Sequence, residues 1–413
     1  MTNICRAVGR LIAFAFLTSV VFAAAARADL VSDWNARAFA VMAAERVSGG
    51  TAPARAAAMM HLAMFDAANA SEGRYLPYRT AIPEARGASA EAAMHAAARR
   101  ILVELYPKQK AVIDGHFERE IADLPSDAGR NAGIAAGDKA ALAIVAERRA
   151  DGFFGPDTYR PITSPGVYVA TALPGMSYVE TAKPFALRSV SQFRPGPPPP
   201  LDSALWARDY NETKELGGAQ SAKRTAWQTE TARFWELVGA HAWNEAARAL
   251  SASKPLPLME SARLFALTNV AIADSYLAIF DAKYHYHFWR PITAIRNGDR
   301  DGNDRTERDA GWTPLIPTPL HPEYPCAHCV VDGGAGAVLK SFFGTGPVPE
   351  FTLTYSAMPG VKRSYANIQQ LEDEVAMARI WGGVHYRNSN EVGNALGRQV
   401  GRYVVENQLR PLR

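Results

Sequence analysis

Long stretches rich in Ala, Leu, Met, Glu and Arg, with apolar residues three or four apart, fill most of this chain. They run over Ser32 to Arg46, Ala54 to Ala70, Ser89 to Tyr106, Lys108 to Ala122, and Asp127 to Asp151. The pattern returns at Leu205 to Leu216, Ser221 to Ala249, Ser261 to Trp289, Pro325 to Phe343, Ile368 to Trp381 and Asn388 to Gln408. That spacing puts the apolar residues on one face of an α-helix, and too few alternating β-branched runs remain for a substantial sheet. The expected fold class is all-α, a multi-helix bundle. Between Gly152 and Ala204 the texture changes to Gly, Pro, Thr and aromatic residues, including Pro197 to Pro200, and predicts a long irregular crossing segment.

A weak internal echo suggests how the bundle is built. Ala58 to Asn69 resembles Ala271 to Lys283, each closing in Phe-Asp-Ala, and the second copy carries the polar residues. As a duplication it implies two related four-helix bundles of which only the C-terminal one kept a site; chance similarity between two Ala-rich helices is the competing explanation.

The N-terminus reads as an address. Arg6 and Arg10 precede an apolar run from Leu11 to Ala25, and Ala26-Arg27-Ala28 has the small-x-small form of a signal-peptidase site. Cleavage is expected before Asp29, leaving a 29–413 helical domain with an N-terminal half (29–204) and a C-terminal half (205–413), exported to a bacterial periplasm or secreted. The run falls short of the roughly 20 residues of a membrane span, and no later segment is expected to reach that length. Removing Arg6, Arg10 and Arg27 from 45 basic residues leaves 42 against 41 acidic ones. Near-neutrality excludes the broad basic footprint of a nucleic-acid or anionic-membrane binder, so an anionic substrate must be held by a local site.

The chemistry is concentrated late, with five of nine histidines between residues 285 and 385. Lys283 and Arg290, seven apart, are expected on one face of a helix that Pro291 then ends or kinks. Alone, such a pair is most often a solvated stripe; together two cations can grip one oxyanion. In His321-Pro-Glu-Tyr-Pro325-Cys326-Ala327-His328, Pro325 suits the first position of a helix whose free amides near Cys326 to His328 would face an anion, with His328 beside it. Gly333 to Gly336 would let another helix approach closely. In Arg379-Ile-Trp-Gly-Gly-Val-His385, Gly382-Gly383 argues for a turn that brings Arg379 and His385 together. Cys326 and Cys329, the cysteines left after export, fit a disulfide, two thiols or half of a metal site.

Taken in order, Lys283…Arg290-Pro291, Pro325-Cys326-Ala327-His328 and Ala378-Arg379…His385 resemble the Lys-x6-Arg-Pro, Pro-Ser-Gly-His and Ser-Arg-x5-His signature of the vanadium-dependent haloperoxidase and type 2 phosphatidic-acid-phosphatase superfamily. Trp34 to Asn69, and Pro184 to Pro195 onward to Trp235, are similar to its soluble bacterial haloperoxidase branch. The resemblance implies an oxyanion pocket in which Lys283, Arg290, Arg379, Cys326 and Ala327 hold vanadate or phosphate. His385 would be the axial metal ligand or the phosphorus nucleophile, and His328 the acid/base. With vanadate as cofactor the substrates are hydrogen peroxide and a halide; without a cofactor the substrate is a small phosphate ester, cleaved by an acid phosphatase through a phosphohistidine. The third alternative is a degenerate oxyanion-binding homologue, suggested by Cys326, Ala327 and Ala378 in place of Ser, Gly and Ser. Ser389 stands where relatives often carry an Asp that orients the ligand His, a loss expected to weaken His385 more as a nucleophile than as a metal ligand, with Glu391 or a backbone carbonyl as substitutes. His321, seven residues before the acid/base His, matches the algal bromide-oxidising type, and Trp289 and Trp381 are expected to wall the halide pocket. A free Cys326 beside activated peroxide would be open to oxidation, and a Cys326–Cys329 redox switch is a further expectation.

Overall fold

The computed structural model describes residues 29–47, 50–79, 81–156, 159–236 and 239–412; the signal-peptide reading lies outside them. Among the described residues there are thirteen α-helices and one two-stranded hairpin. The helices are α1 (Leu30–Ala44), α2 (Thr51–Glu72), α3 (Ala90–Leu105), α4 (Lys110–Ala122), α5 (Ala128–Arg148), α6 (Ala204–Gly217), α7 (Ala226–Phe234), α8 (Gly239–Ser253), α9 (Leu258–Tyr286), α10 (Pro291–Arg296), α11 (Ala327–Phe343), α12 (Ile368–Trp381) and α13 (Arg387–Asn407). Strands β1 (Phe351–Thr354) and β2 (Lys362–Tyr365) pair antiparallel, Phe351 opposite Tyr365. The protein is all-α, as its periodicity predicts.

Several helices start where an Asp, Ser, Thr or Asn side chain accepts an otherwise unpaired first-turn amide: Asp29, Ser89, Asp127, Ser203, Thr225 and Asn367. In the N-terminal half α2 packs on α3 and α5, and α4 on α3; in the C-terminal half α11 packs on α9, α12 and α13. The two groups meet where α2 lies along α9. Close crossings rest on missing side chains. A Cβ at Gly137 would sit 2.3 Å from the Ala93 carbonyl, fixing α5 on α3, and one at Gly397 would sit 2.0 Å from the Val330 carbonyl, fixing α13 on α11. The small residues of α11 admit α13 at Gly333, and also Ser275 of α9 at Gly334 and Glu372 of α12 at Gly336.

Four expectations need correction. One 29-residue segment, α9, is long and apolar enough to cross a membrane by composition, but its apolar window is wholly buried inside the protein. Ser221 to Ala249 is two helices rather than one, because α7 ends at Phe234 with Trp235 as its cap. Helix α9 stops at Tyr286, where His287 takes a left-handed conformation (φ 50°) and its amide caps the Lys283 carbonyl. Pro291 neither ends nor kinks that helix; it opens α10, where a residue without an N–H costs nothing.

The crossing segment is irregular apart from a short 3-10 turn at Val179–Thr181. It is tied down by charge rather than by regular structure. Buried Asp274 of α9 accepts the amides of Phe185, Ala186 and Leu187, and Arg194 forks onto Asp281 with both bonds at 2.7 Å.

Candidate active site

The end of α9, the loop before α11, and the α12–α13 turn converge on one buried cluster. Lys283 is fully buried, and its Nζ donates to the Pro322 and Glu323 carbonyls at 2.8 and 2.7 Å. Arg290 does not share a helix face with it. The left-handed turn at His287 carries the chain back, and Arg290 caps α10 with its guanidinium pointing inward. From there Nε donates to the His321 carbonyl (2.8 Å), Nη1 donates to the Val384 carbonyl (2.8 Å) and lies 3.3 Å from His385 Nε2, and Nη2 lies 2.9 Å from His321 Nδ1.

The glycine turn does what its sequence suggests. Gly382 caps α12, Gly383 takes φ 74°, and the Val384 amide returns to the Arg379 carbonyl. A Cβ at Gly383 would sit 2.3 Å from the Gly217 carbonyl, so the turn also seats α6. Arg379 is 1% exposed, and its Nη1 donates to the Trp235 carbonyl at 2.7 Å. That carbonyl is available because α7 ends there, so the break that the sequence reading ran through supplies a site partner.

Glu323 is the residue that sequence reasoning missed. It lies in the His-Pro-Glu-Tyr-Pro stretch, is wholly buried, and its Oε1 is 2.6 Å from His385 Nδ1 while accepting the Tyr386 amide. This carboxylate, rather than Glu391 or a backbone carbonyl, is the partner of His385 Nδ1; a buried Glu flanked by prolines and aromatics was the available signal. Burial pushes its pKa up to about 7, with Lys283, Arg290 and the neighbouring Ser389 hydroxyl opposing the rise. A carboxylate facing Nδ1 fixes the proton there, and the Nε2 lone pair is left facing Arg290 Nη1.

His328 is the second residue of α11, whose cap is Cys326; Pro325 precedes the cap instead of opening the helix. The Cys326 thiol accepts the Cys329 amide (3.3 Å), and its own amide donates to the Ser389 carbonyl (3.1 Å). Both cysteines are free and buried. Burial acts to raise the Cys326 thiol, but Cys329 and Arg379 outweigh it and bring it below the usual cysteine value, while burial pushes Cys329 well above. Ala327 and Ala378 are buried and bring no side-chain donor. Trp289 stacks on Trp206 with centroids 5.8 Å apart, His321 packs edge-on to Phe280 at 5.1 Å, and Trp381 meets Trp227 at 5.5 Å.

The cluster is rich in buried positive charge. Lys283 and Arg290 face Glu323, while Arg379 faces Glu236 and Asp332; burial, then Arg290, drives Lys283 well below its ordinary value, and burial brings Arg290 to about 10 against the opposing pull of Glu323, with Arg379 adding to the fall. Burial first, then these cations, hold His321, His328 and His385 well below the usual imidazole range, so all three are neutral. Several buried polar atoms have no partner among the described residues: the donors Arg379 Nε, Trp289 Nε1 and Trp381 Nε1, and the ring nitrogen His328 Nε2. A tetrahedral oxyanion fits this set, because it supplies negative charge and acceptors for unpaired donors. His321 and His328 are partly exposed whereas Lys283, Arg290, Arg379 and His385 are buried, so the cluster opens on the side of the first two.

The family described as the VCPO second helical-bundle domain matches residues 263–413. The vanadium chloroperoxidase of Curvularia inaequalis is 27% identical over 199 residues, 40% of this chain and 32% of that enzyme. These likenesses support the vanadium haloperoxidase/PAP2-like superfamily for this chain, with the family match confined to residues 263–413. A vanadium-dependent bromoperoxidase of Corallina pilulifera is 31% identical over 100 residues, covering 22% of this chain and 17% of that enzyme. The matched stretches thus span a third or less of the length of these curated relatives. Among solved structures, a bacterial vanadium-dependent iodoperoxidase shares the fold with a TM-score of 0.78 and 24% identity, over 92% of this chain and 96% of that one. A bacterial vanadium-dependent chloroperoxidase follows at 0.69 and 18%, over 87% and 91%. The likeness in fold therefore runs through the N-terminal helices as well as the stretch that carries the signature.

Proposed function

We propose that this chain is an exported, vanadate-dependent haloperoxidase that oxidises bromide with hydrogen peroxide. The observation that carries the reading is the Glu323–His385–Arg290 line, in which a neutral imidazole presents Nε2 beside buried cations. Vanadate, when bound, supplies a Lewis acid that activates hydrogen peroxide toward attack by halide.

The residues divide the remaining work. His385 Nε2 would hold the metal, with Glu323 keeping the proton on Nδ1 and so leaving Nε2 a lone-pair donor. Lys283, Arg290 and Arg379 neutralise oxyanion charge; because two or more of their bonds already run to backbone carbonyls, Lys283 and Arg290 hold position without reorganising. His328, neutral and with Nε2 unpaired, takes and returns the peroxide proton at that nitrogen. His321, held by Arg290, and Trp289 line the halide side, where the histidine favours bromide.

One observation favours the phosphatase as a second reading. A Glu323–His385 pair supplies the carboxylate partner that the Ser389 substitution removes, and with it an orientation of Nε2 from which His385 could attack phosphorus while His328 protonates the leaving group. Added orthovanadate separates the two because it acts with opposite signs. Purified protein should gain bromide-plus-peroxide bromination with vanadate and show no phosphate-ester hydrolysis; vanadate inhibition of an existing hydrolase activity would establish the second reading. Chloride turnover exceeding bromide turnover would overturn the halide assignment.

A further inference from the structure

Far along the chain from the anion site, α1 and α4 enclose a second polar cluster. His116 of α4 is 2% exposed, and neither ring nitrogen has a hydrogen-bond partner. A buried imidazole with two unpaired nitrogens costs free energy unless something occupies one of them. Its Nε2 lies 3.6 Å from Asp33 of α1, and its Nδ1 lies 3.5 Å from Glu120, one turn on along α4. Both separations are too long for hydrogen bonds. One ring nitrogen and one oxygen from each carboxylate all lie within 4.8 Å of one another.

We propose that Asp33, His116 and Glu120 form a binding site for a divalent first-row transition cation such as Zn2+ or Co2+. The donor set selects this class. A neutral imidazole with two carboxylates suits borderline cations, whereas Mg2+ and Ca2+ prefer oxygen alone. Burial, then Arg37, depress the imidazole to about 4, with Asp33 opposing, so a ring lone pair is free at neutral pH. Two carboxylates bring two negative charges, of which Arg37, bonded to Asp33 at 3.1 Å, offsets one; Arg119 is the other cation near the ring. The carboxylates face different edges of the ring, so one must swing to the metal's side. Both have the freedom to do so, with side chains 40% and 36% exposed, and the same exposure gives the ion an entry path and leaves a coordination position for water. The ion would link α1 to α4 at the edge of the N-terminal helical group. It has a built-in reporter, because the Trp34 ring stands edge-on to His116 with centroids 4.5 Å apart.

The test uses the full chain, stripped of metal and without vanadate. Titration calorimetry with ZnCl2 should give one ion per chain, and Co2+ should quench tryptophan fluorescence to the same stoichiometry. His116 is buried against Trp34, so its removal endangers folding; the partly exposed carboxylates carry the test instead. D33N and E120Q should each keep the wild-type circular dichroism, weaken binding at least tenfold and lose the Co2+ quench, while C329S binds as the wild type does. Absence of stoichiometric binding, or one ion bound equally well by wild type, D33N and E120Q, overturns the site, as does loss of binding in C329S alone.

Discussion

Helices α2 and α9 lie against each other, carry the same Phe-Asp-Ala tripeptide in their C-terminal turns, and do different work. In α2, Asp66 accepts the amides of Tyr78 and Arg79 and ties down a turn. In α9, Asp281 clamps Arg194 of the crossing segment, and two residues later Lys283 enters the anion cluster. Aligned on the tripeptide, Ala68 occupies the place of Lys283. The scaffold therefore does not need the site. Apolar spacing and glycine crossings hold both halves together, and the chemistry is added where α9 ends.

The sharpest way to break the comparison is to remove a group that only the C-terminal half has. H385A should lose tight vanadate binding and reduce vanadate-dependent bromination by roughly 10³-fold or more, the scale of deleting a group at the reacting centre. Calorimetry with orthovanadate and a bromination assay check it, and undiminished activity would remove His385 from the site.

E323Q should retain the fold and cost about 10- to 100-fold in vanadate affinity or turnover, as for other outer partners of a metal-bound histidine. It also carries a pH signature. With its pKa raised from 4.5 to about 7, the folded protein holds a proton that the unfolded chain has released. That contribution to stability is complete below pH 4.5 and is lost as the pH rises through 7. The wild-type minus E323Q difference in thermal midpoint should therefore fall across that window; a flat difference contradicts the assignment.

A matched pair of glycine substitutions compares the halves directly. G397A forces α13 from the Val330 carbonyl and G137A forces α5 from the Ala93 carbonyl, and each should cost about 1–3 kcal/mol in thermal unfolding. Only G397A should also lower activity, because α13 carries the Ser389 carbonyl that receives the Cys326 amide. Equal losses of activity would show that the two halves are not separable.

The smallest effect is expected from C326S. Serine caps a helix at least as well as cysteine, so stability should change by no more than about 1 kcal/mol. Turnover should stay within a few-fold while inactivation by excess peroxide slows, since a thiol is removed from beside the pocket. Progress curves at rising peroxide measure this, and identical inactivation of both proteins would place the damage elsewhere.

The periodicity of the chain was enough for the class and for most helix positions, because burying one face of a 3.6-residue repeat is a local requirement that every such segment obeys. Gly382-Gly383 announced the Arg379–His385 turn for a similar reason, since few other residues take its backbone conformation. The same local reasoning failed at Lys283 and Arg290. Seven-residue spacing suggested one helix face, while the left-handed His287 and the contacts of Phe288 and Trp289 with other segments turn the chain instead.

The all-α class, the late clustering of histidines and cations, and the order of the signature were fixed by the sequence alone, since they depend on residue type and spacing. Tertiary structure decided which groups act on which. Glu323 reaches His385 across 62 positions and the Trp235 carbonyl reaches Arg379 across 144, and neither pairing leaves a periodic trace. Hydrogen bonds between distant segments depend on where packed helices end, and those ends are set by the whole core rather than by the residues beside them.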